Sequence, residues 1–87
     1  MCGGFGQDHP STPEIEGLVQ QVHSQVTQKL GHEPGAIKVI SYQTQVVAGT
    51  NYMVKAEIEG HVYYIKIYQE LPCNGGQVNL TEFSKDN

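Results

Sequence analysis

The sequence predicts an α+β fold, with one long N-terminal helix packed on an antiparallel sheet. Two observations carry this. Apolar residues recur at helical spacing over residues 13–30, and from residue 36 the period changes to two. The strand-like segments then follow one another through short connections, which makes an antiparallel meander. The helix is the one element left to cover the apolar face of that sheet.

Residues 1–11 are rich in glycine and polar groups and show no periodicity, so they are expected to form a flexible N-terminal trunk. Thr12-Pro13-Glu14 is a helix start: Thr12 can cap, Pro13 suits the first turn, and Glu14 and Glu16 favour the positive end of the helix dipole. Ile15, Leu18, Val19, Val22 and Val26 form one apolar stripe, opposite Glu16, Gln20, Gln21, Ser24, Gln25 and Gln28. Lys29 suits the negative end, and Gly31 is the expected left-handed cap.

His32-Glu33-Pro34-Gly35 is a turn. Residues 36–47 are rich in Ile, Val, Tyr and Thr and read as a strand. Its inward side shifts from Ile37/Val39 to Ile40/Tyr42, which calls for a β-bulge. Residues 51–59 alternate, with Tyr52, Val54, Ala56 and Ile58 on one face. Gly60-His61 is the next turn. Residues 62–70 alternate again, Tyr63, Ile65 and Ile67 facing in. Leu71 to Gly76 is a loop, and residues 77–83 are a last short strand. Tyr42, Tyr52 and Tyr63 are expected to pack inward, and Tyr64 and Tyr68 to face solvent. The whole of residues 1–87 reads as a single domain.

Composition narrows the function. The net charge is −4, from nine acids against five basic residues, with no basic patch for phosphate, so nucleic acid is an unexpected partner. No apolar run is long enough to span a membrane. The start of the chain has neither the positive nor the apolar region of a secretory signal. There are two cysteines, Cys2 and Cys73, where a small secreted domain would carry several disulfides. A cytoplasmic protein is therefore expected.

Catalytic chemistry is absent from the pattern. His9, His23, His32 and His61 stand at no metal-ligand spacing, so no metal or cofactor is expected. Cys73 in its loop and Cys2 in the trunk have no base or orienting group that would make either a nucleophile. The Gly3-Gly4 and Gly75-Gly76 pairs do not open helices as a phosphate loop does. The chain does not read as an enzyme.

One stretch is specific. Gln45-Val46-Val47-Ala48-Gly49, between two expected strands, is identical to the Q-x-V-x-G signature of the cystatins, and the run from Thr44 to Tyr52 resembles that of the stefins, the type 1 cystatins. Leu71-Pro72 stands where stefins place their second binding hairpin, and Cys2-Gly3-Gly4 resembles their N-terminus. Taken singly, Val46 and Val47 would be strand residues, Gly49 a hairpin glycine and Leu71-Pro72 a strand end. Their joint order, after a helix and along a meander, singles them out.

The resemblance implies a cystatin-like fold, in which a curved four- to five-stranded sheet wraps the helix. It implies a reversible, tight-binding competitive inhibitor of papain-like cysteine proteases, such as cathepsins L, S, H and B. The protease-binding residues would be Gly3, Gly4, Gln45, Val46, Val47, Ala48, Gly49, Leu71 and Pro72, lined up as a three-part wedge. The protein would be mostly monomeric. Two other readings are a cystatin-fold interaction protein that does not inhibit, and a domain-swapped dimer formed when the hairpin at 46–50 straightens. This sequence departs from stefins in ending at Asn87, short of their usual tail, in carrying Cys73, and in a shorter turn at Gly60-His61.

Overall fold

The computed structural model describes residues 6–86. The described elements are β1 (His9–Pro10), α1 (Pro13–Gln21), α2 (His23–Leu30), β2 (Ile37–Val47), β3 (Gly49–Ile58), β4 (His61–Gln69) and β5 (Val78–Lys85), with a 3₁₀ turn at Pro72–Asn74. The strands form one antiparallel sheet in the order β1-β2-β3-β4-β5.

The helix begins as its sequence dictates. Thr12 is extended, and its hydroxyl accepts the Ile15 N–H at 3.3 Å. Pro13 follows, where a missing N–H goes unnoticed. The end also follows the sequence: Gly31 is left-handed, φ 94°, and returns its N–H to the Thr27 carbonyl at 2.9 Å.

The expected single helix is, however, two segments. At Val22 the backbone leaves helical geometry, φ −101° and ψ 14°, and its N–H is shared between the Leu18 and Val19 carbonyls at 3.2 Å each. Val22 and Val26 are both completely buried, and β-branched valine has little intrinsic helical preference. Here packing prevails over the ideal ladder.

The core is the predicted one. Ile15, Leu18, Val19, Val22 and Val26 of the helices meet Val54, Ala56, Ile58, Ile65 and Ile67 of the sheet. Each Val, Leu or Ile side chain removed from water stabilises the fold by about 1.5–3 kcal/mol. Tyr42, Tyr52 and Tyr63 pack around this cluster, and Tyr63 stacks on Phe83 with ring centroids 5.0 Å apart. A cross-link from the Leu80 N–H to the Gln25 side chain, 2.8 Å, holds β5 to α2.

The expected bulge lies in β2, where the pairing with β3 slips between Val39 and Ser41. Ile40, expected to face inward with Tyr42, is instead the unpaired extra residue and is 41% exposed. A second slip, between Lys66 and Ile67 against β5, was not foreseen; beside it the Thr81 hydroxyl donates to the Lys66 carbonyl at 3.1 Å. The turn expected at Gly60-His61 lies one residue earlier. Glu59 and Gly60 both have positive φ, 54° and 82°, while His61 already pairs with Ile58. Two positive-φ residues match the twist of a two-residue hairpin, which favours this frame. The last strand runs to Lys85, beyond the expected residue 83.

The N-terminal segment also differs from expectation. From Gly6 onward it lies along β2: the Gly6 N–H donates to the Thr44 carbonyl at 3.0 Å, and His9 and Pro10 pair with Tyr42 and Ser41. His9 packs on the Tyr42 ring, centroids 5.4 Å apart. A sequence without periodicity gives no sign of a pairing that depends on a strand thirty residues away in the chain.

This meander sorts the connections by end. The β2–β3 hairpin and the β4–β5 connection share one end of the sheet. The β3–β4 turn is at the other end, tied to the close of α2 by His32 Nε2 and Glu59 Oε1 at 2.8 Å.

Candidate functional site

At the first of these ends, two chain reversals stand side by side. The first is the hairpin tip, where Val47 pairs with Gly49 around Ala48. Gly49 has φ 121°, a region that L side chains avoid. It is also crowded: a Cβ there would come within 2.5 Å of the Gln69 carbonyl and 2.7 Å of the Tyr68 hydroxyl. The close approach that this glycine permits here is within the chain itself, against β4.

The second reversal is compact. Leu71 has φ −58° and ψ 146°, the extended geometry that a following proline enforces. The Asn74 and Gly76 N–H groups both donate to the Leu71 carbonyl, at 2.9 and 3.1 Å, and Gly75 donates to Pro72 at 3.1 Å. Gly75 and Gly76 supply the positive φ needed to turn back, 113° and 67°. The loop is closed at its base by the Glu70 N–H and the Gln77 carbonyl, 2.9 Å. It is therefore a 3₁₀ turn and not the plain end of a strand.

Both reversals expose apolar groups. Val46 is 79% exposed, Val47 45% and Leu71 39%, among few large hydrophobic side chains left open in the described residues. A cleft of about 310 Å³ lies between the reversals, with Gly49 and Thr50 on one side, Leu71, Pro72, Gly75 and Gly76 on the other, and Gln69 and Glu70 along its base.

Of the residues singled out from sequence, Gln45 to Gly49, Leu71 and Pro72 are brought together at this edge. Gly3 and Gly4 lie outside the described residues. Gln45 serves the hairpin from within: its side-chain Oε1 accepts from the Asn51 side-chain amide at 2.9 Å, a cross-strand brace. Tyr68 was not foreseen. It lies on the outer face as expected, yet its hydroxyl donates to the Ala48 carbonyl. Alternation gives only its outward face; the register that pairs Tyr68 with Asn51 is what brings its ring beside Gly49.

A larger cleft, about 440 Å³, lies beneath the start of α1. It is lined by Thr12, Glu14, Ile15, Leu18, Tyr42, Thr44, Tyr52 and Gln69. The Tyr52 hydroxyl donates to Gln69 Oε1 at 3.3 Å. Burial foremost, then the Glu14 carboxylate and Tyr42, hold the Tyr52 phenol above its ordinary pKa, with a hydrogen bond from Thr50 working the other way. Among the described residues no group of His, Cys, Asp and Glu side chains is arranged to hold a metal ion. Cys73 is free and exposed on the second reversal. No helix among the described residues is long and apolar enough to cross a membrane.

Comparison with known proteins gives a consistent picture. Residues 3–86 match the model of the cystatin domain. The chain is 35% identical to cystatin-A of Homo sapiens over 85 residues, which cover 97% of this chain and 87% of that protein. It is 33% identical to leukocyte cysteine proteinase inhibitor 1 of Sus scrofa over 87 residues, 99% of this chain and 84% of that one. It is 33% identical to stefin-C of Bos taurus over 82 residues, 93% of this chain and 81% of that one.

Proposed function

Because this chain belongs to the cystatin family, of the stefin type, whose members inhibit cysteine proteases and are not enzymes, we propose that it is a reversible, tight-binding competitive inhibitor of papain-like proteases. Cathepsins L, S, H and B are the candidate targets. The observation that carries this reading is the shared edge: the hairpin tip and the Leu71-Pro72 turn project at one end of the sheet with apolar side chains exposed on each.

The chemistry suits a groove made for peptides. Val46, Val47 and Leu71 offer apolar area whose removal from water favours association. The two reversals are hydrogen-bonded within themselves, so little freedom remains to be lost on docking. At Ala48-Gly49 the main chain turns back, whereas a protease cleaves an extended peptide; the edge fills the groove without presenting a bond for attack. Gly3 and Gly4 supply the third part of the wedge in this proposal. Its support is the course of the chain, since β1 and Gly6 run along β2 towards the hairpin end. Together three modest contacts act as linked sites. The protein works as a monomer in the cytoplasm, a setting in keeping with its two cysteines.

The test is direct. The chain at micromolar concentration is expected to inhibit papain and cathepsin L competitively and to be released intact. Deleting residues 1–4 is expected to weaken inhibition by about 2–4 kcal/mol, the scale of an interface hot spot. Full protease activity in the presence of the intact chain refutes the proposal, and an unchanged inhibition constant after the deletion removes Gly3 and Gly4 from the wedge.

A further inference from the structure

We propose that Tyr68 is a positioning residue for the binding edge. Its hydroxyl bond to the Ala48 carbonyl fixes the hairpin tip against β4 and so sets the tip's spacing from Leu71-Pro72. This rests on the inhibitory function proposed above and names a residue outside the three segments assigned to it.

The β3–β4 ladder ends short of the hairpin tip. Pairing between β3 and β4 starts at Thr50 and Gln69, so Ala48 and Gly49 lie beyond that ladder. The tip is held to itself by the pairing of Val47 with Gly49. A two-stranded ribbon past the edge of its sheet has little stability of its own and is free to tilt. Something from β4 must reach it if its position is to be fixed.

Tyr68 does this in two ways. Its ring lies beside Gly49, where an added Cβ would come within 2.9 Å of Cε1, so the ring limits movement of the tip towards it. Its hydroxyl holds the Ala48 carbonyl, which resists movement away. The two restraints oppose each other, and between them they define one position. β4 then runs directly into the second reversal, so the anchor and Leu71-Pro72 belong to one stretch of backbone. A shift of the tip relative to Tyr68 is a change in the gap between the two parts of the wedge.

A bond this close to solvent adds little to overall stability, because the same groups hydrogen-bond to water in the unfolded chain. Its effect on binding is different in kind. A tip that wanders must be ordered when the complex forms, and that loss of freedom weakens the complex. Loss of the bond should therefore be seen in the complex before it is seen in the fold.

Tyr68→Phe keeps the ring and removes the bond. Tyr64→Phe is the control, on the same strand and face, where the hydroxyl donates instead to Asp86 at 3.4 Å. With papain as the probe, Tyr68→Phe is expected to raise the dissociation rate about fivefold, with association changed by less than about twofold. Tm should stay within about 2 °C of the parent. In the free protein, ¹⁵N relaxation should show lower order parameters at Val47, Ala48 and Gly49. Tyr64→Phe should leave all four readings unchanged. Unaltered amide order at the tip of Tyr68→Phe overturns the proposal. So does a loosened tip with an unchanged dissociation rate, or a Tyr64→Phe variant that behaves the same way. A parent chain that leaves papain fully active overturns the inhibitory reading separately, and the relaxation measurement then decides by itself whether Tyr68 holds the tip.

Discussion

At the scale of single residues, the proposed binding edge divides into groups expected to make contact and groups that hold them in place. The Val46 side chain is largely exposed and lies outside the buried core. Val46→Asp is expected to leave the unfolding free energy within about 0.5 kcal/mol of the parent while weakening papain inhibition at least tenfold. Parallel denaturant titration and inhibition kinetics check both halves. Gly49 is the opposite case. Gly49→Ala meets a forbidden φ and a carbonyl oxygen at 2.5 Å, so it should lower stability by about 2 kcal/mol and damage inhibition as well. A Gly49→Ala protein with the parent's denaturation midpoint would show that the tip relaxes freely. From sequence both residues belonged to one motif. Their separate duties became visible only with the neighbours Tyr68 and Gln69, which are distant along the chain.

At the scale of elements, most of the fold was legible because periodicity is a local property. The helix stripe, the alternation of β3 and β4, and the bulge at Ile40 all follow from which residues are apolar and how they are spaced. The helix start was equally plain. Thr12→Ala should remove its side-chain cap and cost about 1 kcal/mol, read as a lower midpoint in thermal or urea unfolding. What could not be read locally was set across space. The break at Val22 follows from burial against the sheet, and the pairing of His9 and Pro10 from a partner in β2. The frame of the Glu59-Gly60 turn follows from strand register. Spacing in sequence carries no record of these choices.

At the scale of the whole molecule, function and core are kept apart. The buried cluster joins helices to the middle of the sheet, while the proposed wedge lies at one end, so changes there need not disturb folding. Alkaline pH tests the join between them. Tyr52 holds its proton more tightly in the folded chain than in the unfolded one. Its contribution is fully present below the unfolded value, near pH 10, and is lost as pH rises through the higher folded value. Stability is therefore expected to fall above about pH 10, and Tyr52→Phe should flatten that decline in denaturant titrations. An identical slope for parent and variant would mean that Tyr52 is not its source.

The bulge in β2 has a consequence of another kind. β1 and the residues leading into it cover β2 from Ser41 to Thr44, leaving the stretch from Ile37 to Ile40 at the rim of the sheet. A straight, apolar rim is a template on which foreign strands can grow into fibrils. The extra residue kinks the backbone there and spoils the flat ladder such growth requires. An irregularity that leaves one isoleucine uncovered thus helps to keep many copies of the chain from aggregating.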